Sequence, residues 1–299
     1  MKQHISFIIN PNSGVKRKKN APKAIAKHLD LTKFNYDILY TKAARHAITL
    51  TKKAIANGAD IVAAVGGDGS INEVAQSLIE TDKTLAILPH GSGNGFAMHT
   101  DIGRNIVKAI NIINTGKIVC IDTCMMNDQP FLNLAGFGFD GLIANKLQQA
   151  RRRGFMAYFQ IIMKEIFAAK FHDFKIYLDD EPPFERAAFL MEIGNGPMFG
   201  YGFTIVPTSN LTDGTMHVLL IKKANKLKYL PKIHRLLKGT VHESGKLVES
   251  YQATKIKIDF DAPMPAHFDG EGFIEHKNSV TFQIKPKSLK VILPQNGKY

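Results

Sequence analysis

The sequence predicts an N-terminal α/β domain with a doubly wound parallel sheet, followed by a C-terminal β-sandwich domain. Three observations carry this reading. Over the first 117 residues short apolar runs alternate with helical patterns, as βαβ units require. Three of those runs end in Gly-rich or Asn/Ser-rich turns that open helices, and such turns lie at the carboxyl edge of an open sheet, where ligands bind. After Gly116 strand-like segments follow one another with few helices between them, which is the texture of a largely antiparallel domain.

His4 to Ile9 is a first strand and ends in Asn10-Pro11-Asn12-Ser13-Gly14, a cluster of turn formers. A basic amphipathic helix runs from about Lys18 to Leu29, and Phe34 to Tyr40 is a second strand. Ala44 to Asn57 reads as a helix with Ala47, Leu50, Ala54 and Ile55 inward, stopped by Gly58. Ile61 to Val65 is apolar throughout, as a buried parallel strand is. It runs into Gly66-Gly67-Asp68-Gly69-Ser70, after which Ile71, Val74, Ala75 and Leu78 recur at helical spacing. Thr84 to Leu88 repeats the pattern, with Pro89-His90-Gly91-Ser92-Gly93-Asn94-Gly95 opening a helix near Asn94 or Gly95. Asn105 to Thr115 is a further helix, closed by Gly116.

In the second half Lys117–Met126, Pro130–Leu134, Phe174–Leu178, Ala187–Ile193, Thr215–Ile221, Thr254–Phe260 and Ser279–Ile284 read as strands. Two helical insertions interrupt them, roughly Ile143 to Phe171 and Lys226 to Leu237. The last strand, Leu289 to Leu293, either closes the β domain or returns to the first one. Cys120 and Cys124 sit four apart on a strand, so ~13 Å separates them, too far for a disulfide. They are expected to pack on one face as small apolar groups.

The 299 residues suffice for two domains and a substantial core. Hydrophobic residues make up 44% and charged residues 22%, as in ordinary globular chains. No apolar run approaches the ~20 residues that span a bilayer, and the apolar start is too short for a signal peptide. The expected location is the cytoplasm. Lys and Arg outnumber Asp and Glu by 39 to 26, a formal charge of +13, which favours anionic partners. Trp is absent and no aromatics are spaced as a base-stacking platform, so membrane surface and nucleotide rank above nucleic acid. The eleven His show no metal-ligand pattern.

The chemistry concentrates in the turns. Glycine lets a bulky anion approach the backbone, and the N–H groups of the following helix start point at it, so phosphate is the natural guest. The turn after Val65 has no Lys-Ser/Thr and does not read G-x-G-x-x-G, so it is neither a P-loop nor an ordinary dinucleotide site. Asp68 inside it would repel phosphate unless a divalent cation bridges the two or the carboxylate takes a proton from a hydroxyl. A second carboxylate pair, Asp269 and Glu271, flanks Gly270; taken alone, Asp-Gly there is a common hairpin turn.

Asn10-Pro11…Ser13-Gly14, Gly66-Gly67-Asp68-Gly69…Asn72-Glu73-Val74 and Pro89…Gly91-Ser92-Gly93-Asn94 occur in that order. They are followed by Gly136-Phe137-Gly138-Phe139-Asp140, Gly194-Asn195-Gly196…Gly200-Tyr201-Gly202, Pro207, Asp213-Gly214 and Phe268-Asp269-Gly270-Glu271-Gly272. This ordered set resembles the diacylglycerol kinase/sphingosine kinase catalytic family over nearly the whole chain. The resemblance implies transfer of the γ-phosphoryl of ATP to a lipid hydroxyl with Mg2+, and an NAD-kinase-like first domain. It implies a nucleotide lying between the two domains and a last strand that returns to the first. The domains are then 1–117 with 286–299, and 118–285 with a helical lid insertion.

Nucleotide contacts are expected at Asn10, Ser13, Gly66, Gly67, Gly69, Ser70, Asn72, Glu73, Gly91, Ser92, Gly93 and Asn94. Glu73 is accounted for equally well by favourable interaction with a helix dipole. By resemblance Asp269 is the base, with Asp68 as rival and Glu271 in the magnesium–water network. Asp140 is expected to meet the lipid head group. Arg151, Arg152 and Arg153 precede an apolar, aromatic helix that either packs on the sheet or covers a lipid tail at an anionic membrane. Their guanidinium groups suit phosphate. The family's accessory magnesium site would use Asp213 and Thr215, but Thr212 and His217 stand where acidic residues are usual.

The reading is thus an ATP- and Mg2+-dependent lipid kinase of diacylglycerol or sphingoid-base type, peripheral to an anionic membrane, with a homodimer left open. An NAD kinase and a non-catalytic lipid or nucleotide sensor are the alternatives.

Overall fold

The computed structural model describes residues 2–14, 21–91, 93–150, 154–229, 235 and 238–297. The chain divides into two compact units, Met1–Asp122 with Lys287–Tyr299, and Thr123–Pro286.

The first unit contains strands β1 (Gln3–Ile9), β2 (Phe34–Tyr40), β3 (Ile61–Gly66) and β4 (Thr84–Pro89). Its helices are α1 (Ala21–His28), α2 (His46–Ala56), α3 (Asp68–Ala75), α4 (Gly95–His99) and α5 (Ile106–Thr115). The four strands are parallel in the order β2-β1-β3-β4. β3 and β4 are buried along their whole length, which is why they read as unbroken apolar runs. The chain leaves β1 for β2 on one side and crosses to β3 on the other. The strand order thus reverses between β1 and β3, the point at which ligands bind in open α/β sheets.

β5 (Lys117–Met126) and β15 (Ser279–Leu293) each run across the division between the units. Near its end β15 pairs Lys290 and Val291 in parallel with Thr84 and Leu85 of β4, so the last strand does return to the first unit. The two strands expected around it are one. Pro286 and the left-handed Lys287 (φ 51°) break the alternation without ending the strand. The displaced Lys287 N–H donates to the buried Asp122 carboxylate at 2.7 Å. The cysteines differ from expectation. Cys124 is buried and Cys120 exposed, because the first half of β5 faces solvent.

The second unit is antiparallel and is built on β9 (Phe184–Gly194). The latter half of β9 pairs with β7 (Leu134–Gly138) on one edge and β10 (Met216–Lys222) on the other, while its first half pairs with β8 (His172–Leu178). β11 (Val248–Ala253) extends β10, and β12 (Lys255–Asp259) joins β8 to the start of β15. β13 (Met264–Phe268) lies between β7 and β14 (Glu271–Glu275), and the short β6 (Gln129–Phe131) pairs with β5. Phe137 centres the sandwich core, with ring centroids 5.6 Å from Phe260, 5.9 Å from Phe282 and 6.3 Å from Phe174. Such aromatic pairs contribute about 0.5–1.5 kcal/mol each beyond their buried area.

A second apolar cluster involves α6 (Phe139–Gln149) and α7 (Phe155–Glu165). These two helices replace the single insertion expected at 143–171. Gly154, at φ 123°, precedes α7. In the other expected insertion Lys226–Lys228 forms one 3-10 turn, and most of 230–237 lies outside the described residues. The sequence pattern missed β11, β13, β14 and all but the first residue of β7. β13 carries Pro265 and His267, and β14 begins and ends on Glu, so neither shows a plain apolar alternation.

Glu249 on β11 ties three strands together. It accepts hydrogen bonds from Arg186 Nε at 2.8 Å, Lys222 Nζ at 2.9 Å and the Tyr251 hydroxyl at 2.8 Å. Burial pushes its carboxyl up, but the three donors outweigh that and hold it at about 2. Because the folded value lies below the unfolded one, this contribution is present above the unfolded value and is lost as pH falls through the folded value. Glu249→Gln is therefore expected to lower the melting temperature at neutral pH. It should also flatten the fall in melting temperature between pH 4.5 and about 2, followed by circular dichroism.

Candidate active site

Three turns meet at the carboxyl edge of the first unit, and glycine makes their approach feasible. A Cβ on Gly91 would run into the Gly67 Cα, and one on Gly66 into the Ser70 hydroxyl. Gly14, at φ 77°, abuts the His90 carbonyl with no room for a side chain. The backbones are therefore in direct contact. His90 N–H donates to Gly66 O at 2.7 Å and Asn10 N–H to Val65 O at 3.1 Å. Asn94, left-handed at φ 53°, closes its own turn: Oδ1 accepts from Gly91 N–H at 2.9 Å and Nδ2 donates to Gly91 O at 3.0 Å. Asn10 Nδ2 donates to the Ser70 hydroxyl at 3.2 Å, and Ser13 Oγ donates to Asn10 O at 2.9 Å. The N-cap of α3 is Gly67, which has no side chain to offer, and the first turn holds Asp68, Gly69 and Ser70. An anion is the natural cap for such a helix start.

Asp68 is not a loose carboxylate. Its oxygens accept Gly95 N–H at 3.0 Å and Phe96 N–H at 3.1 Å, so it joins the turn after β3 to the first residues of α4. Glu73 corrects the expectation that it touches nucleotide. Its two oxygens accept Arg45 N–H at 2.9 Å and Ala47 N–H at 3.2 Å, fastening α3 to the start of α2. It lies near the end of α3 rather than opening that helix as expected, and the helix dipole it meets is that of α2. Asn72 is buried, and its Oδ1 accepts from Gln76, the next turn of the same helix. Gly93 O accepts from Arg104 at 3.3 Å. Ser92, Arg151, Arg152 and Arg153 lie outside the described residues.

In the second unit Asp269 (φ 45°) and Gly270 (φ 83°) form the two-residue turn between β13 and β14, the left-handed pair that hairpins favour. The Asp269 carboxylate reaches back to the entry of β7. It accepts Leu132 N–H at 2.9 Å, Asn133 N–H at 2.9 Å and Leu134 N–H at 3.2 Å. These bonds draw on the lone pairs a general base would use, so Asp269 is first a clasp on this loop. Glu271 is exposed at the start of β14.

The accessory magnesium pair is also corrected. Asp213 Oδ1 accepts from the Thr215 N–H at 3.0 Å and hydroxyl at 3.1 Å, and its Oδ2 pairs with His217 Nε2 at 2.9 Å. Thr215 presents donors to Asp213, and the imidazole takes the place a cation would fill.

Sequence reasoning missed a buried trio. His267 on β13, Gly136 on β7 and Glu192 on β9 are direct cross-strand neighbours. Glycine in the middle lets the outer side chains meet above it, and Asp140 joins them from the first turn of α6. His267 Nε2 lies 3.1 Å from Asp140 Oδ2 and 3.3 Å from Glu192 Oε1. A Cβ on Gly136 would collide with Glu192 Oε2 and stand 2.5 Å from Asp140 Oδ2. Burial alone would push the imidazole down, but Glu192 and Asp140 outweigh it and push it up to about 10. Burial, and then the neighbouring Asp140, push the Glu192 carboxyl well up. The signal available in the sequence was a lone Glu in the apolar run Phe189-Leu190-Met191-Glu192-Ile193.

Asp140 also lines an apolar cavity of about 80 Å³. Its walls come from α6 and α7 (Ile143, Tyr158, Ile162, Ile166), β9 (Phe189), β10 (Ile221) and the 3-10 turns near Val241. Asp140 is the charged residue in the lining, and the buried Ser244 hydroxyl there has no partner among the described residues.

An α/β unit with anion-ready glycine turns and a β unit with an apolar cavity define a phosphate-handling protein with a site for an apolar group. Comparison with known proteins is specific. Residues 4–126 match the diacylglycerol kinase catalytic domain, and residues 133–293 match the YegS C-terminal NAD kinase beta sandwich-like domain. The chain belongs to this diacylglycerol kinase/YegS family of lipid kinases. It is 28% identical over 277 residues to a diacylglycerol kinase of Staphylococcus saprophyticus, covering 91% of this chain and 90% of that one. It is 28% identical over 275 residues to a diacylglycerol kinase of Bacillus subtilis, covering 89% and 88%. A crystal structure of a diacylglycerol kinase from Bacillus anthracis superposes with a TM-score of 0.72 at 21% identity over 97% of each chain, a likeness of fold.

The Asp269 clasp has a measurable signature. Asp269→Asn puts an amide N–H₂ against backbone donors and is expected to destabilise the chain by about 1.5–3 kcal/mol, the worth of hydrogen bonds to a charged group. Glu271→Gln, at an exposed position, should leave stability within about 0.5 kcal/mol. Urea unfolding of both variants checks this.

Proposed function

We propose that the chain transfers the γ-phosphoryl of ATP, with Mg2+, to the hydroxyl of a membrane lipid, a diacylglycerol being the first candidate. The observation that carries this is the apolar cavity with one carboxylate in its lining, in a chain whose other unit presents glycine turns suited to phosphate. The names of its relatives support the same acceptor.

The nucleotide fits what the first unit offers. Gly67 and Gly91 carry no side chain where their turns touch, and the N-cap of α3 is a glycine, which suits the approach of an anion. When bound, Mg2+ neutralises phosphate charge as transfer proceeds. Asp68, already fixed by two N–H groups, is the residue that would hold it. At Asp213 a second ion would have to displace the Thr215 and His217 contacts. Asp269 and Glu271 remain the candidates for receiving the hydroxyl proton, with Asp269 held rigid by its loop and Glu271 open to solvent.

The lipid chain would enter beneath α7. At about 80 Å³ the cavity is well below the ~300–1,000 Å³ typical of ligand pockets, so α7 moves outward to admit it. Tyr158, Ile162 and Ile166 line the cavity, whereas Met156, Met163 and Phe167 lie on the opposite, exposed face of the same segment. Lys164 and Lys170 flank that face. An apolar stripe with basic flanks suits an anionic bilayer surface. No helix among the described residues is long and apolar enough to cross one.

In mixed micelles with labelled ATP, label is expected in lipid, dependent on Mg2+ and reduced at least ~100-fold by Asp68→Asn, as loss of one electrostatic stabiliser gives. The panel holds diacylglycerol, monoacylglycerol, sphingoid bases, ceramide and NAD. Label confined to NAD would overturn the reading, and ATP binding with no transfer at all would indicate a sensor. In a separate sedimentation assay, Met163→Glu with Phe167→Glu should weaken binding to anionic vesicles while ATP binding is kept.

A further inference from the structure

Glu192 and His267 have no part in the phosphoryl transfer proposed above, yet they are buried together with Asp140. Asp140 is 8% exposed, and Glu192 and His267 are 0% exposed. Burying charges is costly, and hydrophobic replacements of such groups are often neutral or stabilising. Three further observations bear on what the trio does. Each residue offers one ligand atom, and these atoms all lie within 4.8 Å of one another. Glu192 Oε1, fully buried and 3.3 Å from His267 Nε2, has no hydrogen-bond partner among the described residues. His267 Nε2 also stands 3.4 Å from Glu192 Oε2 and 3.1 Å from Asp140 Oδ2. The Asp140 contact is within the ordinary ~2.7–3.2 Å range of N–H···O bonds, whereas the two Glu192 contacts are longer. The imidazole-to-carboxylate separations of 3.1 and 3.3 Å are close to the ~3.3 Å edge of a tetrahedron whose ligands lie ~2.0–2.1 Å from a central ion.

The geometry points to a binding site for one borderline divalent transition-metal ion, such as zinc, with His267 Nε2, one Asp140 oxygen and one Glu192 oxygen as its ligands. An imidazole with two carboxylates suits such an ion better than Mg2+, which prefers oxygen ligands and keeps its waters. Metal ligands bind deprotonated, so a divalent ion would compete with protons at these side chains. Gly136 supplies the space, because any side chain there would drive the two carboxylates apart. Asp140 supplies the way in, being both a ligand and part of the cavity lining. The backbone N–H of Gly141 donates to the other Asp140 oxygen at 2.9 Å, which leaves Oδ2 turned to the trio and fixes the ligand as outer partners do in metal sites. This site is distinct from the Mg2+ that serves ATP, and its test reads binding rather than turnover.

The experiment uses the full chain, stripped with chelator and titrated with Co2+ as a spectroscopic probe, then with Zn2+ in competition. One equivalent of Co2+ should bind and give the intense visible absorption of a low-coordinate site. Zn2+ should displace it at stoichiometric amounts, and excess Mg2+ should leave it unchanged. Glu192→Gln is near-isosteric with the protonated side chain of the metal-free trio and is expected to fold. It should lose at least ~10-fold in affinity, the least that even an outer partner of a metal ligand costs. Zn2+ should raise the melting temperature of the unaltered chain and not that of the variant. Should the variant fail to fold, the cobalt spectrum of the unaltered chain decides. Weak octahedral-type absorption, displacement by Mg2+, or equal affinity in the variant would overturn the proposal.

Discussion

Contact between backbones at glycine is the constraint on which the first unit depends. Two β-α turns can lie side by side at a sheet edge only if neither carries a Cβ at the point of contact, and Gly67 against Gly91 meets that condition. Gly14 against the His90 carbonyl meets it for the third turn. Once the turns touch, their polar side chains have few places to go. Asn94 folds back onto Gly91, Asn10 onto Ser70, and Asp68 onto the start of α4. The edge is thereby rigid before any ligand arrives, and rigidity of donors is what transfer of a charged phosphoryl group needs.

The same device recurs in the second unit with a different result. Gly136, between His267 and Glu192 in cross-strand register, is an absence around which three ionisable groups gather. Burial raises the stakes of such a network. Breaking a buried ion pair by removing one partner typically costs about 3–5 kcal/mol. Asp269 works by contrast through presence, its carboxylate gathering three N–H groups of a loop that would otherwise have to find water.

Much of this was legible in the chain itself. β3 and β4 announced themselves as unbroken apolar runs because parallel strands are buried on both faces, and the glycine turns after them stood out by composition. The ordered motifs carried the family. What the sequence hid has physical reasons. Glu73 could serve a ligand or a helix start, and only its contact with Arg45 and Ala47 separates the two. The trio draws its members from positions 140, 192 and 267, and no spacing rule connects strands that become neighbours only in the folded sheet. β13 and β14 were obscured by Pro265, His267 and exposed Glu residues, since edge and site strands obey their partners rather than a plain alternation.

β15 carries a further implication for how the chain acquires its structure. Its end pairs Lys290 with Thr84, so the parallel sheet of the first unit receives a strand that lies more than 200 residues further along the chain. Closing so long a loop has an entropic cost that is met before its contacts form, which makes such pairing slow. On the ribosome the whole second unit is made before that strand emerges. Until then the β4 edge has unpaired N–H and C=O groups, the template on which nascent chains mispair.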